Sequence, residues 1–122
     1  MDFYYQTYYL PKMPIAIISV DSVNSQLGDF KDLVSTFDRV YVSNTRKAAD
    51  IYMKIVSMAE ISETKFTSLL DEPINETPEE VRARFQSIVD KCSGGYACII
   101  ISYHSVINTW KPNFIDHEWA IV

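Results

Sequence analysis

Residues Thr77–Ser102 read TPEEVRARFQSIVDKCSGGYACIIIS, and this stretch decides the fold. Its first half carries a complete helix start. Thr77 is the N-cap, Pro78 takes the first helical position, and Glu80 stands three residues after the cap to close a capping box. Val81, Phe85, Ile88, Val89 and Cys92 then recur at helical spacing as one apolar stripe, and Gly94-Gly95 ends the helix. In the second half the period changes. Tyr96–Ser102, with Ala97-Cys-Ile-Ile-Ile101, is a short continuous apolar run, the pattern of a buried strand.

The same alternation extends to both sides. Toward the N-terminus, Ile15-Ala-Ile-Ile-Ser-Val20 reads as another buried strand, followed by a polar loop over Asp21–Gln26. A short helix is expected over Leu27–Thr36, with Ser25 as its cap and Phe30, Leu33, Val34 and Phe37 on its apolar side. Val40-Tyr-Val-Ser43 reads as a strand. Ser43 or Asn44 then caps a helix to about Met58, whose Ala48, Ile51, Tyr52, Ile55 and Met58 share one face. Phe66–Leu70 is expected as a shorter strand, and Trp119–Val122 closes the chain as the last. Strands alternating with helices define an α/β domain whose mostly parallel sheet is covered on both faces.

The first fourteen residues stand apart. Phe3, Tyr4, Tyr5, Tyr8 and Tyr9 crowd into a stretch closed by Pro11 and Pro14, and aromatic density favours extended backbone. Two readings stay open: a contact surface for another protein or a second copy, or an extra edge strand over the domain's own core. The chain thus divides into a Tyr-rich extension, 1–14, and a single domain, 15–122.

Composition excludes some functions. The chain has 122 residues, 48% hydrophobic and 22% charged, enough for one self-sufficient core. Eleven basic against sixteen acidic residues leave a net charge of −5, which argues against nucleic acid, whose phosphates need a basic face. With no apolar run long enough to span a bilayer and no leader pattern, no membrane partner is expected and the expected location is cytoplasmic. Cys92 and Cys98, one at a helix end and one in an apolar run, suit two reduced, buried thiols. No zinc-ligand spacing, phosphate-binding glycine loop or Ser-His-Asp pattern is recognisable, and no cofactor is expected.

Four short segments resemble the histidine phosphatase (phosphoglycerate-mutase-like) family, from about Ile15 to Val122. The family pattern Ser-x-x-x-Arg-Ala is similar to Ser43-Asn-Thr-Arg-Lys47-Ala48. Its Leu-x-Glu is similar to Leu70-Asp71-Glu72. Its Gly-Glu-Ser/Thr segment, with an Arg eight residues after the Glu, resembles Asn75-Glu76-Thr77 with Arg84. Its strand ending Val-Ser-His-Gly-Gly-Val-Ile resembles Ile101-Ser102-Tyr103-His104-Ser105-Val106-Ile107. The resemblance implies a three-layer α/β/α fold with a mostly parallel central sheet and an antiparallel last strand.

The departures bear on function. In the family the first strand ends in Arg-His-Gly, and its His attacks the phosphoryl group. Here the strand ends Ile18-Ser19-Val20-Asp21-Ser22, with no His in reach and no Arg before Arg39. Val20 has no heteroatom to attack with, and an Asp21 carboxylate repels a phosphate ester unless cations surround it. Lys47 stands where the family has Arg, keeping the charge but losing the bidentate fork. Arg46, Lys47 and Ser43 at a helix start are candidates for a phosphate-like anion, against the plainer reading of a solvated basic turn. At the second catalytic His, ungapped matching puts Tyr103, and a one-residue shift puts His104. Glu72 matches the family's general acid. Arg82 and Arg84 read as a charged helix face paired with Glu79 and Glu80. His117, in Asp116-His117-Glu118, is an unsuitable metal ligand set, because adjacent extended residues face opposite ways.

The leading expectation is therefore a catalytically inactive phosphatase-like domain kept as a protein-binding or regulatory module. The rivals are a divergent phosphatase or phosphomutase using His104, Asp21 or Glu72, a small-anion sensor, and a coincidental match to another α/β sandwich.

Overall fold

Five consecutive residues, Ile15–Ser19, are buried without alternation, which happens only where a strand is covered on both faces. A computed structural model describes residues 14–21, 30, 32–92, 95–114 and 119–121. In it, β1 (Ile15–Ser19) is followed by β2 (Arg39–Ser43), α1 (Arg46–Val56), β3 (Glu63–Thr67) and α2 (Pro78–Cys92). Then come β4 (Cys98–Ser102), α3 (His104–Trp110) and β5 (Trp119–Ile121). The sheet order is β3-β2-β4-β1-β5. β1, β4, β2 and β3 run parallel, with Ile17 beside Ile100 and Tyr41 beside both Ile100 and Lys65. β5 lies antiparallel against β1, Ile17 facing Ala120. The expected α/β class and parallel sheet are present.

The helix that opened the sequence reading forms as its residues dictate. Thr77 Oγ1 accepts from the Glu80 N–H at 3.2 Å, and Glu80 Oε1 accepts from the Thr77 N–H at 3.2 Å, so two otherwise orphaned donors are satisfied. Val81, Phe85, Ile88 and Cys92 of α2 are buried, and Val89 packs against them half-buried. Beyond the helix, Gly95 sits at φ 100°, a backbone conformation that side chains rarely adopt. Cys92 and Cys98 are buried free thiols, not joined by a disulfide.

Elsewhere the structure corrects the expectations. The segment read as a strand over Phe66–Leu70 is displaced: β3 is Glu63–Thr67, and Ser68–Leu70 is a 3₁₀ turn. Thr67 Oγ1 accepts from the Leu69 N–H at 3.2 Å, and the turn drives Leu70 into the core rather than continuing the sheet. The cap of α1 is Thr45, whose Oγ1 accepts from the Ala48 N–H, not Ser43 or Asn44. Of the helix expected over Leu27–Thr36, the described part contains buried Phe30 and a 3₁₀ turn at Val34–Thr36; the remainder lies outside the described residues. β4 begins at Cys98, and Tyr96 before it is half-exposed, its ring 3.4 Å from the Arg39 guanidinium.

Helix α3 was not expected at all. His104, Ser105, Asn108 and Thr109 are weak helix formers and leave only Val106, Ile107 and Trp110 as its apolar side. Tertiary contacts with α2 supply what propensity lacks. Trp110 packs on Phe85 with ring centroids 4.9 Å apart, its Nε1–H donates to Gln86 Oε1 at 2.8 Å, and Arg82 donates to the Thr109 carbonyl at 3.1 Å.

Candidate functional site

Because four neighbouring strands are parallel, their carboxyl ends fall on one edge of the sheet, where open α/β folds place their ligands. Asp21 follows β1, Ser43 ends β2, Asp71 follows β3 and its 3₁₀ turn, and Tyr103 follows β4 at that edge. Two hydrogen-bonded groups of side chains occupy it.

The first group centres on Asp21. Its Oδ1 accepts from Lys47 Nζ at 3.2 Å, and its Oδ2 accepts from the backbone N–H of His104, the first residue of α3, at 2.8 Å. The Asp21 N–H in turn donates to Ser19 Oγ at 3.2 Å. One carboxylate thus takes both the ammonium group and an amide donor that an incoming anion would need. The ion pair is solvent-exposed on both sides and adds about 0–1 kcal/mol of stability at most. Its consequence is local: a negative charge stands beside Lys47. Val20, immediately before Asp21, is buried, and its N–H is used by the Ser102 carbonyl at 2.8 Å.

The second group is a row of hydroxyls. The Tyr103 ring is buried at the end of β4, and its O–H donates to Thr45 Oγ1 at 2.7 Å. Thr45 Oγ1 lies 3.4 Å from Ser43 Oγ, and Ser43 donates to Asp71 Oδ1 at 2.5 Å. The Asn44 N–H also donates to that oxygen, at 2.9 Å. Nearby, buried Ser102 donates to the Leu70 carbonyl at 2.8 Å. Tyr103, Thr45, Ser43 and Asp71 therefore tie the ends of β4, β2 and β3 together.

Arg84 fixes the segment that carries Asp71. From α2 it donates to Glu76 Oε2 at 2.8 Å and Oε1 at 3.0 Å, a bidentate pair, and to the carbonyls of Leu69 and Asp71. Hydrogen bonding to Arg84 holds the Glu76 carboxyl below the usual carboxylate range. The expected pairing of Arg84 with Glu79 or Glu80 is thus corrected: Glu80 is committed to the capping box, and Arg82 takes Glu79 at 3.8 Å.

The candidates named from sequence fall as follows. Asp21 and Lys47 meet, and Ser43 is buried against Asp71. Arg46 and Glu72 are exposed, and Asp71 beside Glu72 is the carboxylate that reaches Ser43. His104 is exposed and opens α3 instead of ending a strand, and its contact to Asp21 is through its backbone. Tyr103 is the member of that pair whose side chain is buried among the strand ends. Tyr4, Tyr5, Tyr8 and Tyr9, and the segment Asp116-His117-Glu118, lie outside the described residues. Sequence reasoning missed Thr45 and Asp71. The available signal was position: Thr45 stands two residues past the end of β2, and Asp71 directly follows the 3₁₀ turn that ends β3.

The fold is similar to that of a solved phosphoglycerate mutase from Plasmodium falciparum, with a TM-score of 0.58 at 11% sequence identity, covering 89% of this chain and 85% of that one. The chain accordingly has a phosphoglycerate-mutase-like fold. No protein-family profile and no curated protein matches the sequence. Among the described residues, no helix is long and apolar enough to cross a membrane, and no three His, Cys, Asp or Glu side chains gather as metal ligands.

Proposed function

We propose that this chain is a catalytically inactive, degenerate form of the histidine-phosphatase-like domain that acts as a protein-binding or regulatory module. The observation that carries the reading is Asp21. Phosphoryl transfer through histidine needs a neutral imidazole among cations and free amide donors. At this strand edge the residue before Asp21 is the apolar Val20, and the Asp21 carboxylate engages Lys47 and the His104 amide itself. A phosphate brought there meets a fixed negative charge, and displacing the carboxylate frees one lysine and one amide N–H to replace it. Tyr103, in hydrogen-bond contact with Thr45, adds bulk where the resemblance puts the second catalytic His. Glu72 is exposed, and a general acid acts only on the leaving group that a nucleophile displaces.

Thermal unfolding in millimolar phosphate, vanadate or tungstate tests this reading. A ligand that binds only the folded state raises the midpoint. The wild-type midpoint is expected to stay where it is. A rise that is abolished by Lys47→Ala would overturn the proposal and make the chain an anion sensor.

A further inference from the structure

The amino ends of the strands, on the edge opposite the strand-end site, carry a pair of thiols. α2 runs down to them from the carboxyl ends, where its Arg84 binds the Leu69 and Asp71 carbonyls, and its last residue is Cys92. β4 begins at Cys98, and residues 93–97 alone lie between the two. Both side chains enter the same interface. Cys92 follows Ile88 by four positions and Phe85 by seven, on the buried face of the helix. On β4, Cys98 shares a face with Ile100 and Ser102. Ser102 Oγ donates to the Leu70 carbonyl, in the segment that Arg84 holds, so this is the face α2 covers. Cys92 is 1% and Cys98 0% exposed, and the two thiols are hydrogen-bonded to each other. Arg39 stands beside Cys98 across the β2–β4 ladder, its guanidinium bonded to Glu63 at 3.1 Å and 3.4 Å from the centre of the Tyr96 ring.

We propose that Cys92 and Cys98 are a redox pair, which hydrogen peroxide closes to an intramolecular disulfide that staples the end of α2 to the start of β4. Cys98 is the sulfur that reacts first. Hydrogen bonding from Cys92 draws its thiol below the ordinary range, and Arg39 adds to this against the cost of burial. Its thiolate attacks one peroxide oxygen and the O–O bond breaks. The departing hydroxide takes up the proton that Cys98 released and leaves as water. The Cys92 sulfur then attacks the sulfenic sulfur of Cys98, the S–O bond breaks, and the Cys92 proton leaves with that oxygen as a second water. Two thiols and one peroxide become one disulfide and two waters, with two electrons passing from sulfur to peroxide. Because Cys92 is already in contact, the sulfenic acid is captured before more peroxide reaches it, and the sulfurs need only close to about 2.05 Å. Burial selects the oxidant: peroxide is little larger than water, whereas bulky thiol reagents are kept out. The inference is independent of whether the strand-end site is inert.

The test exposes the folded full chain to millimolar hydrogen peroxide, removes the oxidant, and unfolds the protein in an alkylating agent before tryptic digestion and mass spectrometry. Residues 92–122 form one tryptic peptide with both cysteines and no methionine, so its mass reports the pair alone. It is expected two hydrogens lighter than the reduced peptide, with both alkylatable thiols lost and both recovered in dithiothreitol. Closure should also run well ahead of labelling of the folded protein by an aromatic disulfide. In Cys92→Ala the capturing thiol is gone, and Cys98 is expected to run on to the sulfinic acid. Should that variant fold poorly, the wild-type masses decide by themselves. Two thiols that stay alkylatable overturn the inference, as does a wild-type sulfinic acid formed without the disulfide, or a disulfide joining two chains. So does closure no faster than the aromatic labelling, because the bond would then form in the unfolded chain.

Discussion

Replacing Tyr103 by Phe and Thr45 by Ala, singly and together, measures how firmly the strand ends are tied. Tyr103→Phe removes one hydroxyl but little volume, and Thr45 Oγ1 keeps its bond to the Ala48 amide and its neighbour Ser43. The loss is one hydrogen bond, about 1 kcal/mol. Thr45→Ala removes an N-cap worth about 1 kcal/mol. It also strands the buried Tyr103 hydroxyl, which adds about 1–3 kcal/mol because a buried donor without an acceptor keeps its full desolvation cost. With Phe already at 103 that second penalty vanishes, so the double variant should cost about 2 kcal/mol. The coupling energy is then roughly 1–3 kcal/mol, well above the scatter expected of independent sites. Urea unfolding midpoints at constant m-value read these differences, and thermal midpoints should move by roughly 3–6 °C per kcal/mol in a domain of this size. Additive costs within about 0.5 kcal/mol would refute the reasoning, since the two hydroxyls would then not be in contact.

Glu76→Gln should lower stability at neutral pH, with the deficit shrinking as pH falls. Its carboxyl is held low by Arg84, so its contribution is present above the ordinary carboxylate pKa and is lost as pH falls through the depressed folded value. Urea midpoints of both proteins should converge in acid; a constant gap would contradict this. The native protein should also resist a thiol-reactive aromatic disulfide until it is unfolded. Its hydrogen bond with Cys98, together with burial, pushes the Cys92 thiol up, and both sulfurs are covered. Rapid labelling of folded protein would contradict the packing around α2 and β4.

Periodicity and capping made much of this fold legible. The capping box at Thr77–Glu80 and the unbroken apolar runs of β1 and β4 are local signals, and the structure follows them. Misreadings arose where local signals were weak or where tertiary contacts decided. Leu69-Leu70 looks like strand, yet the Thr67 hydroxyl turns the chain after β3. Helix α3 has poor intrinsic propensity and exists because Trp110 finds Phe85 and Gln86 on α2. The strand-end residues were only half legible. Sequence named Asp21, Ser43 and Lys47 but could not foresee that Asp21 would itself engage Lys47 and an amide of α3, since those residues are 26 and 83 positions apart in the chain. Likewise, choosing between Tyr103 and His104 needed the knowledge that a helix begins at 104, which reverses which side chain is buried.

The most direct test is turnover of an aryl phosphate by the folded wild-type chain. With the apolar Val20 buried at the end of β1 and Asp21 engaged with Lys47 and the His104 amide, the proposed inactivity predicts that phosphate release does not exceed the uncatalysed rate. Turnover that disappears on Asp21→Asn or His104→Ala would contradict the account and make the chain an active phosphatase.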